Sequence, residues 1–252
     1  MSFTCLTPIF VHGRQLPCGK CGNCLQKRSL EWMFRLEQES KEWDTTSFAT
    51  LTYSEENLPP NGVDKHEIQC FLKRLRKEVD FKYYATSEYG PTSTHRPHYH
   101  ILFYHNIDPG AFFDKVERVW NKGKITCDEV CQERIMYCAN YHITKTYNPE
   151  KKNKTFVLMS KKLGASFLTD ARVNFFETTG TMFVKHYDGY RLPMPRYFKK
   201  KMIFDPAKVL EMRQIVEKQS LVDNISLYAL RKQMDKIDKI VEKKLKKRKN
   251  IR

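Results

Sequence analysis

The run Arg96-Pro97-His98-Tyr99-His100-Ile101-Leu102-Phe103-Tyr104 restricts this chain more than any other. Ile, Leu, Phe and Tyr in succession suit a pleated, half-buried backbone, so the segment reads as a β-strand. Residues i and i+2 of a strand share a face. His98 and His100 therefore aim at one spot while Tyr99 points the other way. Paired neutral imidazoles hold a divalent metal, or else they make ordinary strand hydrogen bonds. Which of the two applies depends on what the rest of the fold brings to that face.

A carboxylate is the natural third group. Residues 81–89 read as a second strand ending in Ser87-Glu88-Tyr89-Gly90, with a short polar loop leading to the histidines. Strands joined so closely usually pair, which sets Glu88 beside the imidazoles. Two histidines and a carboxylate suit a hard or borderline divalent ion with coordination positions left open. Taken alone, Glu88 is an exposed acid at a strand end.

Residues 129–147 read as one helix. Cys131, Ile135, Cys138 and His142 fall at gaps of four, three and four, a buried stripe in which the cysteines act as small hydrophobes. Tyr137, Tyr141 and Lys145 form a second ladder at gaps of four. The ladder is either an amphipathic flank with half-buried rings or a set of phenols activated by a lysine. A free phenol, with a pKa of about 10, is a poor nucleophile at neutral pH, and a nearby cation stabilises its phenolate. A metal on the histidine strand could polarise a DNA phosphate for attack by such a phenol.

Cysteine usage adds a second metal question. Cys18-Gly19-Lys20-Cys21-Gly22-Asn23-Cys24 sets three thiols at two-residue gaps, and Cys5 can supply a fourth. Four thiolates suit tetrahedral zinc, and free thiols are the alternative. No leader is evident over residues 1–10, and no apolar run reaches the ~18 residues of a spanning helix. A reducing cytoplasm, that of a host bacterium, is expected, with thiols or metal ligands in place of disulfides. The chain's net charge of +16 selects a polyanionic partner, nucleic acid before membrane.

The remaining elements follow from periodicity and caps. Helices are expected over residues 25–43, after Asp64 with Glu67 as a capping box, and after Asp108-Pro109. Residues 47–53, 157–159 and 173–176 read as strands, 182–184 and 187–190 as strand and hairpin, and Asp205-Pro206 opens a long polar helix. Residues 191–201 mix cations and rings, which suits either an ordinary basic loop or stacking on single-stranded DNA. Seven of the last ten residues are Lys or Arg, a salt-sensitive DNA contact. The organisation read from this is a cysteine-rich segment (1–24), a nuclease domain (25–205) and a basic helical tail (206–252).

Taken in order, these stretches resemble the replication initiators of microviruses, small single-stranded DNA phages, within the HUH endonuclease superfamily. The strand Phe48-Ala49-Thr50-Leu51-Thr52-Tyr53 resembles the first superfamily motif, Pro97-His98-Tyr99-His100 the second, and Tyr137, Tyr141 and Lys145 the third. Pro17-Cys18-Gly19-Lys20-Cys21, Met159-Ser160-Lys161-Lys162-Leu163-Gly164 and Pro195-Arg196-Tyr197-Phe198-Lys199 are similar to microvirus initiators too, and the resemblance covers roughly residues 1–205. It implies an α+β fold with an antiparallel sheet of about five strands flanked by helices. It implies Mg²⁺ or Mn²⁺ at His98, His100 and Glu88, and origin nicking through a covalent 5′-phosphotyrosine followed by strand joining, which initiates rolling-circle replication. No Gly-x-x-x-x-Gly-Lys-[Ser/Thr] motor is present, so a host helicase and polymerase are the implied partners. The competing readings are an HUH transposase or relaxase, and a non-enzymatic zinc-containing nucleic-acid-binding protein.

Overall fold

The structure, a computed structural model, describes residues 5–90, 95–141, 149–150, 152–186, 189 and 191–220. The chain divides into two compact units, one of residues 1–34 with 165–252 and one of residues 35–164.

Ile9–Val11 (β1) and Arg14–Leu16 (β2) form an antiparallel hairpin. Its two turn residues, His12 (φ 48°) and Gly13 (φ 71°), both take the left-handed conformation that a two-residue hairpin loop requires. Helix α1 spans Gly22–Ser40, with Phe34 the last residue of the first unit and Arg35 the first of the second. It ends before Trp43, short of the expected residue 43. Trp43 instead folds back, and its indole N–H donates to Glu39 Oε1 at 2.8 Å. The buried Glu39 carboxylate also takes Lys82 Nζ at 2.7 Å and the Gly164 N–H at 2.6 Å, so its charge is fully partnered.

The second unit holds Thr45–Leu51 (β3), Lys65–Leu75 (α2), Lys82–Tyr89 (β4), Pro97–His105 (β5), Pro109–Trp120 (α3), Ile125–Glu129 (β6), Gln132–Asn140 (α4) and Val157–Met159 (β7). The expected caps are in place: Asp64 accepts from the Glu67 N–H at 3.0 Å and Asp108 from the Ala111 N–H at 2.9 Å. All five strands pair antiparallel in the order β6-β3-β5-β4-β7, so the histidine strand β5 is central. This is the α+β architecture expected from the sequence.

Alternation sorts the sheet into two faces. Ala49, Leu51, Tyr83, Ala85, Tyr99, Ile101 and Phe103 share a core with Phe71, Leu72 and Leu75 of α2 and Phe112, Val116 and Trp120 of α3. Each such large side chain contributes roughly 1.5–3 kcal/mol by burial, against about 1 kcal/mol for a helix cap, so this core sets the register that aims the opposite face. Tyr99 is fully buried there, its hydroxyl 2.9 Å from that of Tyr53. The opposite face carries Phe48, Thr50, Thr86, Glu88, His98 and His100, and α4 packs against β4 and β5.

Three expectations are corrected. Glu129 closes strand β6 and does not open a helix, because Ile125–Glu129 completes the sheet edge against β3; α4 starts at Gln132. Cys131 is therefore the exposed residue before α4 and not part of the buried stripe, whereas Ile135 and Cys138 are buried as expected. Residues 173–176 lie within a helix, Asp170–Thr179 (α5), capped by Thr169 Oγ1 and closed by Gly180 in the left-handed conformation. A cap at each end outweighs a short apolar run that fits either period.

The first unit continues with Phe183–Lys185 (β8), Arg191–Pro193 (β9), Arg196–Lys199 (α6) and Pro206–Ser220 (α7). Residues 191–201 are thus not a loop. Phe198 is buried in a cluster with Phe34 and Phe167, and Arg191 and Lys201 sit over the chain's own Phe183 and Tyr197 rings. These groups are engaged internally. The long polar helix is present as far as Ser220; its expected continuation and the basic end lie outside the described residues. Among the described residues no helix is long and apolar enough to cross a membrane.

Candidate metal centre and tyrosine site

Register assembles the centre. Glu88 pairs with His98, and His100 lies between Thr50 and Thr86 in the same row of the sheet. The His98 and His100 ring centroids are 4.9 Å apart, and His98 Nε2 is 4.0 Å from Glu88 Oε2. Ligand atoms of Glu88, His98 and His100 all lie within 4.8 Å of one another. An octahedral ion with bonds of about 2.0–2.2 Å needs its donors roughly 3–4.3 Å apart, so small side-chain rotations close the set. Side-chain exposures of 18% for His98 and 14% for Glu88 leave the centre open enough for further ligands.

Hydrogen bonds fix the imidazoles. His98 Nδ1 faces the Arg96 carbonyl at 3.2 Å. A carbonyl only accepts, so Nδ1 carries the proton and Nε2 presents its lone pair. His100 Nδ1 meets Thr50 Oγ1 at 3.0 Å, which turns Nε2 away from β3. Phe48 stacks on His100 at 5.4 Å, with the Arg134 guanidinium 5.2 Å over the Phe48 ring. Sequence reasoning took Phe48 and Thr50 only as part of a strand motif. Their supporting role becomes visible once register makes them neighbours of His100.

Tyr137 joins this group from α4. Its hydroxyl donates to Glu88 Oε2 at 2.7 Å, and its ring meets His100 edge-on at 5.2 Å. Burial first, then the Glu88 charge and hydrogen bond, hold the phenol well above its ordinary range. Tyr141, one turn on, is buried and lies close enough to Tyr84 to raise that phenol. The two tyrosines thus occupy different environments, Tyr137 at the His-His-Glu cluster and Tyr141 further along the same face. Lys145 and His142 lie outside the described residues.

The four N-terminal cysteines also converge, with ligand sulfurs within 4.8 Å of one another. Cys5 Sγ and Cys21 Sγ are 3.8 Å apart. That is far beyond a disulfide bond of about 2.05 Å, and it matches the sulfur spacing of about 3.8 Å around a tetrahedral zinc with 2.3 Å bonds. The Cys18 N–H donates to Cys5 Sγ at 3.2 Å. Thr7 Oγ1 and the Lys20 and Cys21 N–H groups donate to Cys18 Sγ, bringing its thiol down to about 5. Burial pushes Cys24 the other way, to about 12. A divalent ion removes that conflict, since its charge offsets the cost of gathering the remaining thiolates.

The chain is therefore an α+β protein whose central antiparallel strand and neighbouring helix bring two histidines, a glutamate and a tyrosine together. Residues 46–147 match the family model of the replication-associated protein ORF2. The chain is 28% identical to replication-associated protein ORF2 of Spiroplasma virus 4, over 87% of this chain and 77% of that protein. It is 26% identical to replication-associated protein ORF4 of Chlamydia phage 1, over 87% and 59%, and 25% identical to replication-associated protein VP4 of Bdellovibrio phage phiMH2K, over 84% and 78%. No solved structure matches it. These matches bear out the resemblance to microvirus replication initiators. The family match takes in Phe48, Thr50, Glu88, His98, His100, Tyr137 and Tyr141, and begins after the cysteines.

Proposed function

We propose that this chain is a metal-dependent single-stranded DNA endonuclease and ligase that initiates rolling-circle replication in the host cytoplasm by nicking the viral origin. The observation that carries this reading is the 2.7 Å hydrogen bond from Tyr137 to Glu88, inside the cluster formed with His98 and His100. Bound Mg²⁺ or Mn²⁺ supplies Lewis-acid polarisation of a phosphate oxygen. The Tyr137 oxygen attacks phosphorus and the bond to the 3′ oxygen breaks. The phenol proton has Glu88 Oε2 as its acceptor, and the departing oxygen takes up a proton to end as a 3′ hydroxyl. One phosphoester replaces another, so the 5′-phosphotyrosine keeps the bond energy needed for rejoining without ATP. Tyr141 serves as the second acceptor in later transfers, with Lys145 offsetting phosphate charge.

A labelled single-stranded oligonucleotide bearing the origin, incubated with Mn²⁺, should give an adduct that survives denaturing electrophoresis. No adduct on any origin fragment would sink the nuclease reading. Zinc at Cys5, Cys18, Cys21 and Cys24 belongs to the same proposal and is structural. Purified protein should carry stoichiometric zinc by elemental analysis, and Cys18→Ser should lose it; a wild-type chain free of zinc overturns that part. The cysteine cluster is also what favours the second reading, a zinc-containing nucleic-acid-binding protein without catalysis. Alanine at both His98 and His100 separates the two, since nucleic-acid binding survives under either and cleavage is lost only under the first.

A further inference from the structure

The first thirty residues contain no Asp or Glu, but include Arg14, Lys20, Lys27 and Arg28. Within them the β1–β2 ribbon exposes both of its faces. Phe10 is 74% exposed and Leu6 68%, and Ile9, Val11 and Leu16 are exposed as well. The register sets Val11 against Arg14 on one face and Phe10 against Gln15 on the other. A lone two-stranded ribbon is marginal in water. This one is tied at its base, where Cys5 precedes it, Cys18 follows it, and the Cys18 N–H donates to Cys5 Sγ. Zinc held by the four thiolates would lock that base and keep the ribbon standing.

We propose that the zinc-clamped ribbon Ile9–Leu16 is a single-stranded nucleic-acid contact, with Phe10 stacking on a base and Arg14 pairing with the backbone phosphate. This rests on the nucleic-acid role proposed above but not on the tyrosine chemistry. Exposed apolar side chains on so short an element call for an occupant, and charge decides which one. A second copy would bring an equally basic, acid-free segment against this one and be repelled. A polyanion with flat apolar bases satisfies both the cations and the ring.

The test uses full-length, zinc-loaded protein and a labelled oligothymidine, without Mg²⁺ or Mn²⁺ so that nothing is cut. By fluorescence anisotropy Phe10→Ala should weaken binding roughly 5- to 100-fold, the range of one lost base stack. Arg14→Ala should weaken binding and flatten its salt dependence, while both variants keep their zinc. Ile203→Ala, which removes another exposed apolar residue, should bind as wild type. The proposal is overturned if Phe10→Ala and Arg14→Ala bind oligothymidine as tightly as wild type. It is equally overturned if they change only sedimentation, which marks self-association, or only binding to phosphatidylglycerol vesicles, which marks a membrane. Loss of oligothymidine binding in Phe10→Ala from a wild-type chain that makes no origin adduct would leave this inference standing and remove the nuclease reading.

Discussion

Tyr137→Phe should lower covalent capture of an origin oligonucleotide by roughly a thousandfold or more, the scale of removing a nucleophile, while Tyr141→Phe should leave the first capture within a few-fold of wild type. The asymmetry follows from the two environments. Tyr137 Oη is bonded to Glu88 and its ring meets His100, whereas Tyr141 is buried near Tyr84. Phenylalanine keeps the ring packing and removes only the hydroxyl, so stability should fall by about 1 kcal/mol. The pH dependence provides a control. Burial and Glu88 hold the folded phenol above its free value. Its stabilising contribution is thus complete below the unfolded pKa of about 10 and is lost as pH rises through the folded one. Melting curves of wild type and Tyr137→Phe between about pH 6 and 9 should therefore differ by a constant offset. A variant that melts in parallel yet captures no DNA has lost chemistry and not fold. Capture by Tyr137→Phe at the wild-type rate, with Tyr141→Phe inert, would exchange the roles of the two tyrosines.

Much of this site could be read from the chain because it is written in strand alternation. His-Tyr-His in an apolar run puts two imidazoles on one face and Tyr99 on the other, and the pairing of β4 with β5 brings Glu88 opposite His98. Caps at Asp64 and Asp108 were equally legible, since they depend on residues three positions apart. What depends on distant register was not. Phe48 and Thr50 lie some fifty residues before His100, and nothing local in the sequence marks them as its supports. Strand β6 escaped because Ile125–Glu129 is short, polar on one side and defined by its partner β3. Helix α5 was misread because Val173 to Phe176 fits a strand until the caps at Thr169 and Gly180 are weighed. The buried Phe198 shows the same limit: a ring between lysines reads as a stacking surface until its aromatic neighbours are known.

His98→Ala and His100→Ala should each lower Mn²⁺ affinity by about a hundredfold or more, a larger loss than the 10–100-fold typical of outer-shell changes, with cleavage falling in step. The ligand atoms lie within 4.8 Å of one another, so losing any one leaves only two donors on the sheet. Glu88→Gln is the informative contrast: it can still accept the Tyr137 hydroxyl but lacks the charge that offsets a cation. Thr50→Val removes the partner of His100 Nδ1 and frees the imidazole to turn, which should cost about tenfold in affinity without removing a donor. Titration calorimetry with Mn²⁺, run beside the adduct assay, ranks the four variants. Raising Mn²⁺ should restore cleavage in Thr50→Val and partly in Glu88→Gln, because their defect is affinity. It should not restore the histidine variants, which lack the donor altogether. Oligothymidine binding should stay within about twofold of wild type throughout, because none of these residues lies on the ribbon. If both histidine variants cleaved at the wild-type rate, the paired imidazoles would be ordinary strand residues, and the conjunction of Tyr137 with Glu88 would need a structural explanation instead.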